Sequence, residues 1–398
     1  MLKNSLLIMF GYAKRTLPAG LITLVIVIGV VLFVPVPIML LLLFLGMPAL
    51  VAVIGDMWAW PVMEQAFHIS EQQAARRAAE MGYSVQVGAE CEFYLFERDA
   101  EGRPTKRPQD NGGYFDVAPL DRGENVRREI CLTLEEMNIR PESSHHEQGP
   151  GQNEVDFKHA APLTAADDVI TFKNVVKTVA ARNGLYGSFS PKPLADKPGS
   201  GMHVNISLAR GGRNIFAPGP DGAYSPAMRS FIAGVLARAG EICAFTNPVP
   251  GSYARFGSFE APRYVAWSHQ NRSQLIRIPA APAPEYARIE VRMPDVSCNP
   301  YLAFALLLAA GFEGMERKME LAEETPYDLY TANAGALEAL PASLEEAIAR
   351  AGGSAFVEKV LSADTARKYL ALKQAEQNRW FAARDKEKYQ DEAYFGVL

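Results

Sequence analysis

The segment SVQVGAECEFYLFE, residues 84–97, alternates in the manner of a β-strand. Side chains two residues apart leave the same face of a strand, so Glu90 and Glu92 project together. Two like charges side by side need a cation. An E-x-E on the solvent face of an edge strand is the plain alternative, and the rest of the chain has to decide between them.

Working outward, HISEQQAARRAAEMGYS (68–84) reads as one amphipathic helix with Ser70 as its N-cap and Gly82 as its stop. After the strand comes a loop rich in Gly, Pro and Asp over 99–123, a helix over about 124–138, a Gly-rich loop and the strand NEVDFKH (153–159). Helices recur over 164–183, 225–245, 299–319 and 343–395, with strand-like segments at 202–208, 274–279 and 287–293. The mix predicts an α+β fold, helices packed on a largely antiparallel sheet, with 320–345 as its most flexible loop and a surface flap.

Further acids gather around the first two. SSHHEQGPGQNEVDF (143–157) brings Glu147 and Glu154 together across a Gly-Pro-Gly turn, GSGMHVNIS (199–207) offers His203, and ARIEVRMPD (287–295) puts Glu290 and Arg292 on one strand face. Glu90, Glu92, Glu147, Glu154, Glu290 and His203 make a pair of hard-cation sites for Mg²⁺ or Mn²⁺, ions that prefer oxygen and accept a nitrogen ligand. His145 and His146 adjoin Glu147, but the absence of cysteine ligands and of H-E-x-x-H spacing argues against a zinc hydrolase and leaves His203 as the one expected imidazole ligand. Arg255, Arg272, Arg277 and Arg292 share one stretch with Glu260 and Glu290. Guanidinium groups grip phosphate and carboxylate in bidentate fashion, and phosphoryl transfer is catalysed by metals and cationic clamps. Taken singly, each arginine reads as a surface ion-pair partner.

Composition sets the outer limits. An apolar fraction of 48% and a charged fraction of 21% over 398 residues describe a globular chain with a sizeable core. The net charge of −5, with no basic run beyond the extreme N-terminus, excludes a nucleic-acid footprint. Cys91, Cys131, Cys243 and Cys298 lie far apart without C-x-x-C spacing, which excludes a zinc ribbon, a redox pair or a dense disulfide framework.

The N-terminus has a different character. No charged residue occurs from Leu17 to Ile54, a run long enough for two spans at roughly 20 residues each and too long for a signal peptide. Pro35 and Pro37 break it near the middle, predicting a helical hairpin over about Leu17–Val34 and Ile38–Ile54, with Trp58 and Trp60 at an interface. Lys3, Lys14 and Arg15 place the N-terminus on the cytoplasmic side, and a hairpin returns the chain there. The resulting expectation is a membrane-associated chain, anchored by residues 17–54, whose catalytic part faces the cytoplasm.

Set in order, GAECEFYLF (88–96), HHEQGPGQNEVDF (145–157), PKPLADKPGSGMHVN (191–205), NRSQLIRIP (271–279) and ARIEVRMPDVSCNPYLAFALLLAAG (287–311) resemble the successive signatures of the bacterial glutamine synthetases. The resemblance runs from about Tyr83 onward. Together with the apolar run and the helix read above, it divides the chain into a hydrophobic transmembrane segment over 1–60, a connecting amphipathic helix over 61–82 and a catalytic domain over 83–398, the last of the fold shared with the guanido kinases. It implies ATP-dependent ligation of ammonia to the side-chain carboxylate of glutamate through a γ-glutamyl phosphate, with two or more Mg²⁺ or Mn²⁺ per site, in a homo-oligomer. By the same resemblance, Glu92, Glu147 and Glu154 hold the metal nearest glutamate and ammonia, and Glu90, His203 and Glu290 hold the metal at the ATP phosphates. Glu142 and Ser207 fall at nucleotide positions. Arg272 and Arg277 fall at positions that touch phosphates and stabilise the transferring group. Gly199, Arg255 and Arg292 match glutamate-binding positions, and Glu260 the flap glutamate that closes over substrate and helps take a proton from ammonium.

The chain departs from the family pattern at several points. Pro198 stands where an asparagine is usual, Glu285 where a lysine is usual, and Asn205 where the second histidine of H-x-H is usual; the loop from Arg255 to Glu260 is one residue short. These changes open an alternative, a relative that ligates glutamate to an amine or polyamine. Tyr330 lies near a tyrosine that some members adenylylate, in a different local context. The family's N-terminal β-grasp domain, which completes a neighbouring subunit's site, is replaced by the apolar segment. The resulting readings are a membrane-tethered paralogue, or a composite frame carrying a truncated homologue that only binds nucleotide and metal.

Overall fold

The computed structural model describes residues 76–398 apart from Asn333 and Ala336. The described residues belong to one compact unit. Its first described residues, 76–80, are helical and end at Gly82, whose φ of +78° suits glycine alone.

The strand that opened the sequence reading is the spine of the molecule. β1 (Ser84–Arg98) pairs antiparallel with β4 (Gln152–Phe157) on one side and with β6 (Met202–Arg210) on the other. β3 (Pro141–His146) extends the sheet beyond β4; β10 (Ile289–Val291), β9 (Ile276–Ile278) and β8 (Trp267–His269) extend it beyond β6. The short strands β2 (Pro104–Pro108) and β5 (Leu185–Ser188) pair with β1, and β7 (Arg213–Asn214) pairs with β6. β8 and β9 run parallel while the other pairs are antiparallel, so the sheet is mixed rather than antiparallel throughout.

Alternation along β1 sends Cys91 and Phe93 into the core and Glu90 and Glu92 the other way. Phe93 meets Phe172 and Phe189 at ring separations of 6.0 Å, Phe172 lying on helix α2 (Pro162–Arg182). α1 (Glu124–Glu136) packs beside α2. Ser225 and Asn299 cap α3 (Pro226–Thr246) and α4 (Pro300–Glu316), each followed by Pro at the first helical position, where a missing N–H costs nothing. α3 and α4 touch backbone to backbone: a Cβ on Gly314 would lie 2.1 Å from the Ser230 carbonyl and 2.8 Å from Gly234 Cα.

The expected helix over 343–395 is four α-helices, α5 (Leu344–Gly352), α6 (Ala355–Leu361), α7 (Ala363–Ala382) and α8 (Lys386–Gln390), followed by a π-helical turn over Asp391–Phe395. Ser343, Ser354, Ser362 and Asp385 cap them in turn, and each cap is a start signal embedded in the helical pattern. The stretch 320–345, expected to be the most flexible, is docked. Gln274 donates to the Thr325 and Tyr327 carbonyls, both at 2.8 Å, and Trp267 to that of Ala322 at 2.9 Å, while Leu321, Leu329 and Leu340 are buried.

The expectation of a transmembrane element and a membrane-associated location is corrected. Among the described residues no helix is long and apolar enough to cross a membrane. The fold is a mixed sheet with flanking helices, with no spanning helix among those residues. The hairpin expected over 17–54 lies outside the described residues.

Candidate active site

Strand register assembles the acids. Across β1 and β4, Glu92 faces Glu154 and Glu90 faces Asp156; across β1 and β6, Glu90 faces His203. Across β3 and β4, His145 faces Glu154; across β9 and β10, Arg277 faces Glu290. A one-residue slip in any of these pairings would turn a carboxylate to the other face.

Three groups could each hold a cation, their ligand atoms within 4.8 Å of one another: Glu90, His203 and Glu290; Glu92, Glu154 and His203; His145, Glu147 and Glu154. All six expected ligands fall within these groups, with His203 and Glu154 shared, but Glu92 and Glu147, expected on one cation, fall in different groups. His203 Nδ1 lies 3.2 Å from Glu90 and 3.7 Å from Glu290, and its Nε2 lies 3.9 Å from Glu92. His145 Nε2 lies 2.9 Å from Glu147 and 3.7 Å from Glu154, so a second imidazole joins the cluster, against the expectation of one. Its chance of being found lay in the strand: β3 lacks hydrophobic alternation and reads as loop.

The electrostatics suit a cation-binding cluster. Burial, then the charge of Glu147, pushes the Glu92 carboxyl up to about 8. Burial, with Asp156 and Glu90 close by, raises Glu154 as well, and burial with the Glu90 charge raises Asp156. Burial and the Arg292 charge keep His203 well below its ordinary value and therefore neutral, the form that ligates metal. Glu290 Oε2 and Asp156 Oδ1 are buried without a well-aligned hydrogen bond. Oxygen-rich donors with a neutral imidazole fit a hard divalent ion.

A fourth group, Asp110, Asp121 and His146, is also close enough to bind an ion, but its lone pairs are already used. Asp110 accepts from His146 and from the Gly151 and Arg122 amides, and Asp121 is paired with Arg127. His146 Nδ1 in turn meets the Glu147 carbonyl at 2.7 Å, so this network braces the hairpin that presents Glu147 and Glu154.

Two cavities flank the acids. One, of about 680 Å³, is walled by Glu90, Asn205 and Ser207 on the sheet, by Glu142 and by Glu285 and Arg288. The other, of about 20 Å³, lies between Glu92, Glu147 and His203 on one side and Gly199, Arg255, Glu260 and Arg292 on the other. Glu142 and Ser207 thus share the large cavity; Gly199, Arg255, Glu260 and Arg292 share the small one. Arg272 and Arg277 line neither: Arg272 Nη1 holds Glu260 at 2.9 Å and Arg277 Nε lies 2.5 Å from Glu290. Arg292 links the two groups, bonded to Glu290 and to the Glu260 carbonyl at 3.1 Å.

Gly199 is required by close approach, since a Cβ there would lie 2.3 Å from Arg255 Cγ and 2.5 Å from the Pro191 carbonyl. Arg255 is buried, its Nη1 donating to the Met293 carbonyl at 3.2 Å. In the shortened loop, Phe259 and Glu260 take φ of +46° and +63°, a conformation side chains resist. Tyr330, expected as a solvated loop residue or a modified one, donates to the Ala261 carbonyl at 3.1 Å, next to Glu260. Arg288 and Gln152 were not singled out in the sequence; Gln152 donates to Glu92 and to the Gly199 carbonyl, both at 3.1 Å.

Comparison with known proteins accords with this geometry. Residues 69–391 match the family model described as glutamine synthetase, catalytic domain. The chain is 46% identical over 316 residues to a glutamine synthetase of Methanosarcina mazei, covering 78% of this chain and 70% of the relative. It is 44% identical over 312 residues to a glutamine synthetase of Clostridium saccharobutylicum, covering 77% and 70%. A solved structure titled GmaS/ADP complex superposes with a TM-score of 0.73 at 28% identity, covering 82% of this chain and 76% of that one. The cryo-EM structure of Plasmodium falciparum glutamine synthetase shares the fold, with a TM-score of 0.70 at 23% identity over 81% and 78% of the two chains. The chain belongs to the glutamine synthetase family, through its catalytic domain.

Proposed function

We propose that this site ligates ammonia to the side-chain carboxylate of glutamate at the expense of ATP. The observation that carries the reading is one wall of three acids, Glu90, Glu92 and Glu290, with the imidazole of His203 among them, standing between a cavity of nucleotide size and a small arginine-lined pocket.

In this reading ATP occupies the large cavity, beside Glu142 and Ser207, with its γ-phosphoryl directed at the acid wall. Glutamate is gripped by Arg255 and Arg292, whose guanidinium forks match carboxylates. A carboxylate oxygen attacks the γ-phosphorus, the bond to ADP breaks, and an acyl phosphate forms; Arg272 and Arg277 balance the charge in flight. Ammonia then attacks the acyl carbon and phosphate leaves. Ammonium enters as a cation, which an acidic pocket attracts, and Glu260 takes the proton that must go before the nitrogen lone pair can react. An acyl phosphate is lost if water reaches it, so the closed pocket and the Glu260 loop serve to exclude solvent.

Glu90, His203 and Glu290 would hold the cation at the phosphates, and Glu92, Glu147 and Glu154 the second, with His145 beside it. Mg²⁺ or Mn²⁺ bound there would neutralise phosphate oxygens and draw the carboxylates together. A homo-oligomer is supported by the exposed Phe115, Val117 and Leu120, Phe115 stacking on His145 at the rim of the site.

The test is phosphate release by the purified chain with ATP, glutamate and Mg²⁺, comparing ammonium with methylamine, ethylamine and a diamine. Release with ammonium that is lost in Glu290→Ala supports the reading. Release with a larger amine and not with ammonium would replace it by the amine-ligase alternative.

A further inference from the structure

Asn205 sits two residues beyond His203 on β6, opposite Glu290 on β10. Its Nδ2 donates to Glu90 Oε1 at 2.8 Å, while His203 Nδ1 lies 3.2 Å from the other oxygen, Oε2. The two residues therefore divide the Glu90 carboxylate between them. Asn205 Oδ1 in turn accepts from Arg288 Nε at 2.8 Å. Arg288 is half-buried immediately before β10, also donates to the Tyr286 carbonyl at 3.3 Å, and lines the same large cavity as Asn205 and Glu90.

A primary amide has an acceptor end and a donor end, and only its neighbours decide which way it points. A guanidinium offers donors alone, so Arg288 obliges Asn205 to turn its oxygen outward and its NH₂ toward Glu90. Without Arg288 the amide could reverse, setting its oxygen against a carboxylate. The three side chains form a directed relay from the cavity wall to an expected metal ligand.

We propose that Asn205 is a positioning residue for Glu90, and that Arg288 sets its orientation. The proposal rests on the reading of Glu90, His203 and Glu290 as a cation site. Hydrogen-bonded partners that orient a ligand change metal affinity about 10–100-fold when removed. The arrangement also makes a prediction of sign. By charge alone, removing Arg288 near a cation site tightens cation binding; by positioning, it weakens it.

The experiment uses the full chain with Mn²⁺ as probe, free ion being counted by electron paramagnetic resonance without nucleotide. Glu290→Ala and Glu92→Gln first identify which class of site each group serves. Asn205→Ala is expected to weaken the Glu290-dependent class by about tenfold or more and to leave the Glu92-dependent class as it was. Arg288→Ala is expected to weaken the same class, and Arg288→Lys, which retains a donor, to restore it. The double variant should be no weaker than Asn205→Ala, because both changes break one relay.

Tighter or unchanged Mn²⁺ binding in Arg288→Ala would overturn the proposal, as would unchanged binding in Asn205→Ala. Should Asn205→Ala fail to fold, the Arg288 pair decides by the sign alone. Wild-type chain that takes up no Mn²⁺ would instead overturn the cation reading beneath it, a different result from wild-type binding that the variants leave untouched.

Discussion

Asp121→Ala would break the buried ion pair beneath the β3–β4 hairpin. Arg127 and Asp121 are 5% and 3% exposed, joined by Nη2–Oδ2 at 2.5 Å and Nη1–Oδ1 at 3.1 Å. Removing one partner of such a pair leaves an uncompensated charge and costs about 3–5 kcal/mol. Here Arg127 keeps Asn153 Oδ1 at 2.5 Å and Ser144 Oγ at 3.2 Å, while Nη2 and the Gly123 amide lose their acceptor. The retained bonds place the cost at the lower end, about 3 kcal/mol. Against a total stability of about 5–15 kcal/mol the variant should still fold, with a lower urea midpoint at unchanged slope. Asn153 adjoins Glu154, so Mn²⁺ affinity at the Glu147–Glu154 group should fall with it. Replacing both partners, Asp121→Leu with Arg127→Met, removes both charges and should recover most of the lost stability. A cost below about 1 kcal/mol, the worth of a surface pair, would refute the reasoning.

Other outcomes follow from the same structure. In EDTA the chain should lose stability as pH rises: Glu92 holds a proton in the folded state up to about 8, against an ordinary value of 4.5, so the stability present below about 4.5 is lost as pH climbs through about 8. Mg²⁺ favours the ionised carboxylates and should flatten that slope; a thermal midpoint in EDTA that stays level over this range would count against a cation-binding cluster. Gly314→Ala forces α3 and α4 apart and should cost about 3 kcal/mol, read as a lower urea midpoint; a neutral variant would mean the helices do not cross this closely. Tyr330→Phe removes the bond to the Ala261 carbonyl, worth about 1 kcal/mol, and should raise ammonium-independent phosphate release by up to about fivefold; unchanged release would show that Tyr330 does not steady the Glu260 loop.

Much of the site was legible because strand period and residue type coincide there. Glu90 and Glu92 on β1, Glu154 on β4, His203 on β6 and Glu290 on β10 each sit in a segment whose alternation marks it as a strand. Sequence spacing could say that two carboxylates share a face, but not which strands would pair. The register that sets Glu92 against Glu154 and Arg277 against Glu290 came from the structure. β3, β5 and β8 went unread because each is short and lacks apolar alternation, and their pairing is decided by the neighbouring strand. The breaks between α5, α6 and α7 were hidden because serine is an ordinary residue inside a polar helical pattern and declares itself only when it caps. Arg288 was missed for a similar reason: a lone arginine carries no signal until Asn205 is seen beside it. The apolar N-terminal run lies outside the described residues, so its hydropathy reading has no counterpart in the structure; among the described residues no helix is long and apolar enough to cross a membrane.

The central claim is that the glutamate carboxylate is activated as an acyl phosphate before ammonia attacks. The direct measurement supplies glutamate labelled with ¹⁸O in its side-chain carboxylate, together with ATP, ammonium and Mg²⁺, and weighs the released phosphate by mass spectrometry. The account requires one ¹⁸O in each phosphate formed with glutamine, because the carboxylate oxygen that attacked phosphorus leaves with it. Ammonium-dependent phosphate that carries no ¹⁸O would contradict it.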